Sequence, residues 1–258
     1  MVAHMQFQSL FDRAILELKQ LDLVKDALKF VVASAAGWVW KIAYDRWKAR
    51  KARRFWRSFL SKELRIVVGR FGEFDEFERS GVIGIGDAIA LSELQAFLAT
   101  IGSTEAKVVY ADRVSGDDLK NPLILVGGPD ANDVTRQAST LIRTSLRFGD
   151  PAKHEIAFRG LSETPPRLYV PVAPTAQQAA DDLGLIVRVK NPFDVEKPAL
   201  IMTGSYGHGT WAAARYVVSP SFLKSDVAKS QSFECLIKTT VVRDTPQQIQ
   251  VLIARPLG

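Results

Sequence analysis

The chain has little cysteine, little histidine and no standard nucleotide loop. Cys235 is its only cysteine, and His4, His154 and His208 are its only histidines. A single thiol excludes an internal disulfide and any cysteine-built metal cluster, and it fits a reducing compartment. The histidines show neither the two-on-one-helix-face spacing nor the zinc-finger spacing, so neither a metal nor a resident cofactor is expected. The dinucleotide fingerprint GxGxxG and the Walker phosphate loop are both missing, and VIGIGDA offers only GxG. The uncharged N-terminal run from Phe30 to Trp40 is eleven residues long, short of the roughly 20 needed to cross a bilayer.

Charge is present but unevenly placed. The 34 basic and 28 acidic residues give a net charge of +6. Seven of the basic residues lie between Arg46 and Arg57, where there is no acid, and subtracting them from 34 leaves 27 against 28. The remainder is near neutral, so the main domain is not expected to bind nucleic acid through its backbone charge.

Phe7, Leu10, Phe11, Ala14, Leu18 and Leu21 recur at helical spacing and predict an amphipathic helix. The apolar run follows, and then DRWKARKARRFWR. Four of the five tryptophans fall in this region. Tryptophan beside lysine and arginine is the pattern of a membrane interface. Trp38, Trp40, Lys41, Trp47, Arg50, Lys51, Arg53, Arg54 and Trp56 are therefore expected to contact an anionic membrane surface, with the main domain on the cytoplasmic side. The same stripe also suits a helix packed in a homo-oligomer.

Residues 63–258 predict an α/β domain preceded by the N-terminal helices of residues 1–62. ELRIVVGRF, KVVYAD and NPLILVGG read as strands, and the last has the continuous apolar character of a buried parallel strand. GLIVRVKNPF and KPALIMTGSYG are two more. GDAIALSELQAFLATIG reads as a helix with Asp87 as its cap and Gly102 as its stop, and DANDVTRQASTLIRTS and GTWAAARYVV as two others. HEIAF and RLYVPV suggest a hairpin or lid. The C-terminal stretch predicts two antiparallel strands about a turn at Asp244 to Pro246. The fold class expected is a Rossmann-like, mixed but mostly parallel sheet with antiparallel C-terminal additions.

Two segments, LILVGGPDANDVTRQ and ALIMTGSYGHGTWAAAR, share the order strand, glycine turn, helix. Loops after the carboxyl ends of strands line the crevice of an open α/β sheet, and helix starts offer free N–H groups to an anion. The ligand residues expected are Asp87, Gly127, Gly128, Asn132, Thr135, Arg136, Ser205, Gly207, His208 and Thr210. Ser205 with His208 and Asp87 or Asp130 is the best available relay for catalysis, although GSYGHG lacks the nucleophile-elbow pattern. Asp117 with Asp118, and Asp181 with Asp182, read as solvated loop faces or caps.

The ordered set GDAIAL, LILVGGPDAN with VTR, VKNPF and TGSYGHGTWAAAR resembles a poorly characterised group of prokaryotic Rossmann-like modules that occur with membrane segments or with signalling and defence domains. The resemblance spans about Gly84 to Val218. In domain order the chain is also similar to membrane effectors of antiviral defence that join a membrane helix to a CARF-type cyclic-oligonucleotide sensor. These resemblances imply a membrane-associated sensor of a nucleotide or other phosphorylated small molecule. A hydrolase or transferase on a nucleotide- or sugar-like substrate, and a structural assembly protein, are the alternatives.

Overall fold

The computed structural model describes residues 37, 38, 40, 52–74, 76–103, 105–149, 157–162, 164–173 and 180–258. The chain divides into two compact units, Met1–Arg50 and Lys51–Gly258. In the first, the described residues Gly37, Trp38 and Trp40 are helical and exposed. The amphipathic helix expected from Phe7 onward lies outside the described residues, as do Lys41, Trp47, Arg50 and Lys51. Among the described residues no helix is long and apolar enough to cross a membrane.

The second unit is built on a seven-stranded sheet of β1 (Arg65–Val68), β2 (Lys107–Tyr110), β3 (Leu123–Val126), β7 (Ala180–Asn191), β8 (Asp194–Gly204), β9 (Phe233–Val242) and β10 (Thr245–Pro256), in the order β10-β9-β7-β8-β3-β1-β2. β2-β1-β3-β8 form a parallel core. β7 runs antiparallel to β8 and to β9, and β9 antiparallel to β10. The sheet is thus evenly divided between parallel and antiparallel pairings rather than mostly parallel. The correction comes from β7, whose burial on both faces gives it the unbroken apolar run of a parallel strand. The last hairpin turns at Arg243 and Asp244, with φ of 50° and 55°. Pro246 falls within β10, an edge strand, beside a register shift, the setting in which a sheet accommodates proline.

The helices are α1 (Ile85–Thr100), α2 (Gly116–Leu119), α3 (Asp133–Leu141), α4 (Gly207–Val217) and α5 (Pro220–Lys224). A three-stranded antiparallel sheet is made by β4 (Leu146–Phe148), β5 (Phe158–Gly160) and β6 (Arg167–Tyr169). It occupies the region expected to form a hairpin or lid, and β4 is too short to show periodicity. One face of the large sheet packs on Leu94 and Leu98 of α1 and on Ala212 and Val217 of α4. The other packs on Val134 and Ala138 of α3 and on Leu146 and Phe158 of the small sheet. Glu234 on β9, fully buried, fastens the small sheet down: it accepts from the N–H groups of Ser145 at 2.9 Å and Leu146 at 3.2 Å and from Arg255 Nε at 2.6 Å.

Residues 52–56 are helical and lead into a 3-10 turn at Arg57–Phe59. Trp56, expected at a lipid surface, is instead fully buried, with its ring 5.2 Å from Phe55, 5.8 Å from Phe59 and 5.7 Å from Phe97. Phe55 and Phe59 carry the guanidinium of Arg188, 4.6 Å and 5.5 Å from their ring centres. This segment belongs to the α/β core, which therefore begins before the expected boundary at Glu63. Arg53 and Arg54 remain exposed, and Arg53 Nε donates to the Ile101 carbonyl at 3.3 Å.

Candidate functional site

β2 follows β1 on one side and β3 lies on the other, so the growth of the sheet reverses between β1 and β3. Loops at that reversal leave in opposite directions from the carboxyl ends, which opens a crevice in α/β sheets. Here a cleft of about 360 Å3 lies beneath Arg70, Gly72, Ala111, Asp112, Asp130 and Asp133. Its charge is unfavourable for an anion, since three carboxylates face Arg70, which is paired to Asp112 at 2.8 Å.

The two glycine loops do converge. Asp87, in the first turn of α1 and 6% exposed, accepts a hydrogen bond from the Thr210 hydroxyl of α4. Its Oδ2 lies 3.0 Å from where a Cβ on Gly127 would sit, and Gly127 has φ of 106°, which a side chain would strain. Burial raises the Asp87 carboxyl to about 6, and the charge of Asp130 adds to the effect while the Thr210 bond opposes it. Asp87 is not the helix cap it resembled, because Gly84 takes that place. α1 and α4 meet through Gly86 and Gly207, where a Cβ on Gly86 would strike the Gly207 carbonyl.

Neither helix start expected to bind an anion is open. The side chain of Asn132, fully buried, donates to the carbonyls of Val67 at 3.2 Å and Val126 at 3.0 Å. It accepts from the N–H groups of Val134 at 3.1 Å and Thr135 at 3.0 Å. Four bonds use all the capacity of an amide, so Asn132 caps α3 and latches β1 to β3. At α4 the anion is internal. Asp182 Oδ2 accepts from Gly209 N–H at 2.6 Å, and its Oδ1 from Tyr206 at 3.1 Å and Leu183 at 2.7 Å. Burial raises the Asp182 carboxyl to about 6 against the opposing pull of these bonds. The sequence reading of Asp182 as a solvated loop face or a cap holds in its second form, since it closes the start of α4 from β7. It lies in β7, 2% exposed, 27 residues before Gly209.

No relay forms among the described residues. The Ser205 hydroxyl, 5% exposed, has no hydrogen-bond partner there, and His208 is half-buried near Asp182. Asp118 is likewise structural: it completes a capping box with Ser115, and Arg65 at 2.7 Å holds its carboxyl well below the usual range, aided by Ser115. Cys235 is fully buried, and burial pushes its thiol up to about 12, which leaves it inert.

A second opening lies over β7 and β8. α3 and β4 do not meet over β7 and β8, and a groove of about 270 Å3 runs between them. Its lining includes Pro129, Arg136, Ile142, Phe148, Val187, Ile201 and Thr203. Arg136, expected to neutralise a phosphate, stands here, paired to Asp133 one helical turn away. Thr203 is 4% exposed and its hydroxyl has no partner among the described residues. Ser205 continues the ladder by donating its N–H to Leu183 at 2.9 Å, so strand alternation puts its hydroxyl on the same face. Thr135, 1% exposed in the first turn of α3, carries another hydroxyl without a partner among the described residues. The sequence did not single out Thr203, because a hydroxyl inside an apolar strand is indistinguishable from a β-branched core residue.

Among the described residues no cluster of His, Cys, Asp and Glu is arranged to hold a metal ion. The chain defines an α/β protein with a mixed seven-stranded sheet. It matches no protein-family model, no curated protein and no solved structure.

Proposed function

We propose that this chain is a membrane-associated sensor whose Rossmann-like domain binds a nucleotide or other phosphorylated small molecule on the cytoplasmic side, in a signalling or antiviral-defence setting. The observation that carries the reading is the carboxyl edge of the parallel strands. There the loops after β3 and β8 come together with the start of α1, and two openings border this edge. Binding without turnover is favoured because Ser205, His208 and the nearby carboxylates form no proton relay among the described residues. Membrane association is supported by Trp38 and Trp40, 67% and 75% exposed beside the basic run.

Calorimetry on the full chain with nucleotides, cyclic oligonucleotides and sugar phosphates tests the binding, with chromatography of the ligand afterwards. A bound, unaltered ligand is expected. Consumption would replace the sensor with an enzyme, and no binding to any phosphorylated compound would overturn the reading. Co-sedimentation with vesicles containing anionic lipid tests the membrane part, which fails if the full chain stays in the supernatant.

A further inference from the structure

We propose that the groove over β8 is the ligand pocket, and that it takes a small flat ring bearing one anionic group, no larger than a nucleoside monophosphate. The inference rests on the phosphorylated-ligand reading and goes beyond it in naming the pocket and the shape it accepts.

Shape comes first. The floor is the β7–β8 ladder, where Leu185 stands opposite Thr203 and Val187 opposite Ile201. A sheet presents a nearly planar surface, and Ile142 and Phe148 rise on either side of it. The space between is a slot whose walls mix apolar Ile142 and Phe148 with polar Ser139, Thr140 and Arg147, suited to a ring laid flat with polar groups at its edge. Its volume of about 270 Å3 is at or below the lower end of the roughly 300–1,000 Å3 typical of small-molecule sites. A dinucleotide or cyclic oligonucleotide would have to extend beyond that volume.

Polarity fixes the orientation. The Thr203 hydroxyl sits in the floor with no partner among the described residues, and a buried polar group left unpaired is costly. A ring nitrogen or carbonyl placed against it satisfies both groups. Among the described residues no carboxylate lines the groove, in contrast to the three in the cleft beside Arg70. Arg136 stands at the rim, and its pairing with Asp133 is about half exposed, at 53% and 54%. An ion pair that open is weak, so the guanidinium is available to an incoming phosphate.

The test is calorimetry on the full chain with the four nucleoside monophosphates, their unphosphorylated nucleosides, inorganic phosphate and a cyclic dinucleotide. One monophosphate should bind better than its nucleoside, and Arg136→Ala should remove that difference. Thr203→Val should weaken binding about tenfold and raise the melting temperature of the free protein, a pair of signs a merely structural threonine would not give. Ile201→Trp should fill the slot and abolish binding. If that variant is folded and binds as well as the wild type, the groove is not the site, although the sensor reading survives. Should it fail to fold, near-isosteric Thr203→Val decides, and unchanged affinity there overturns the proposal. Tight binding of the cyclic dinucleotide alone overturns the size argument, and no phosphorylated compound binding at millimolar concentration overturns both readings.

Discussion

One face of the large sheet is sealed by α1, α4 and residues 52–59, while the other is covered by α3 and a small sheet with a groove between them over β7 and β8. On the sealed face the helices approach so closely that backbone touches backbone, and the start of α4 is met by Asp182. On the split face, Thr203 and Ser205 carry hydroxyls without partners among the described residues. The glycines that look like ligand loops in the sequence mostly serve the sealed side, where they let main chains pack. Open space collects where the covering layer is divided.

The largest effect expected is at the seal. A Cβ on Gly209 would collide with the Leu183 carbonyl, so Gly209→Val should cost more than about 4 kcal/mol or prevent folding, as read by circular dichroism and thermal melting. If Gly209→Val melts like the wild type, the close packing of α4 on β7 is misjudged. Trp56→Ala comes next, at about 3–5 kcal/mol by loss of a buried aromatic, against about 1 kcal/mol for partly buried Ile142→Ala on the groove wall. For the same reason a chain starting at Lys51 should stay folded and one starting at Ser61 should aggregate. Equal behaviour of the two would show that residues 52–60 add nothing to the core.

Acid sharpens the comparison in another way. Asp87 and Asp182 hold their protons up to about pH 6 when folded and to about 4 when unfolded. Between these values the folded state binds more protons, so stability falls as pH rises from about 4 to 6, by about 3 kcal/mol per group. Asp87→Asn keeps an acceptor for Thr210 and should flatten that slope and raise stability at pH 7. Asp182→Asn should not raise it, because its amide would turn a donor toward backbone donors. Urea titrations across this range check both, and a pH-independent wild type would count against buried carboxyls at the seal. The smallest effect expected is a gain of about 1 kcal/mol in Thr203→Val, from removing an unpaired hydroxyl. A loss there would mean the hydroxyl has a structural partner.

Local pattern made much of this fold legible. RIVV, KVVY and LILV are strands, and α1 ends just before Gly102 as its spacing predicts. Strand direction was not legible, because β7 is buried on both faces and carries no alternation. Trp56 was grouped with Trp38 and Trp40 by composition, whereas its spacing with Phe55 and Phe59 marks the face of a helix turned to a core. The closure of α4 by Asp182 is invisible to any window that does not span β7 to α4. The convergence of the glycine loops was readable, since both follow parallel strands. Their being filled by the protein itself was not.

The position of β3 has a consequence for how the chain is made. Leu123–Val126 is fully buried and paired on one side to β1, but its other edge is closed only by β8, Asp194–Gly204. Synthesis runs from the N-terminus at roughly 5–20 residues per second, so β3 leaves the ribosome seconds before its second partner. In that interval four apolar residues stand on a bare strand edge, a ready template for another chain. The hairpins β7–β8 and β9–β10 close on themselves in about 1–10 μs once made and need no such wait. Slow translation between β3 and β8 is therefore expected to favour aggregation while leaving the finished molecule unchanged.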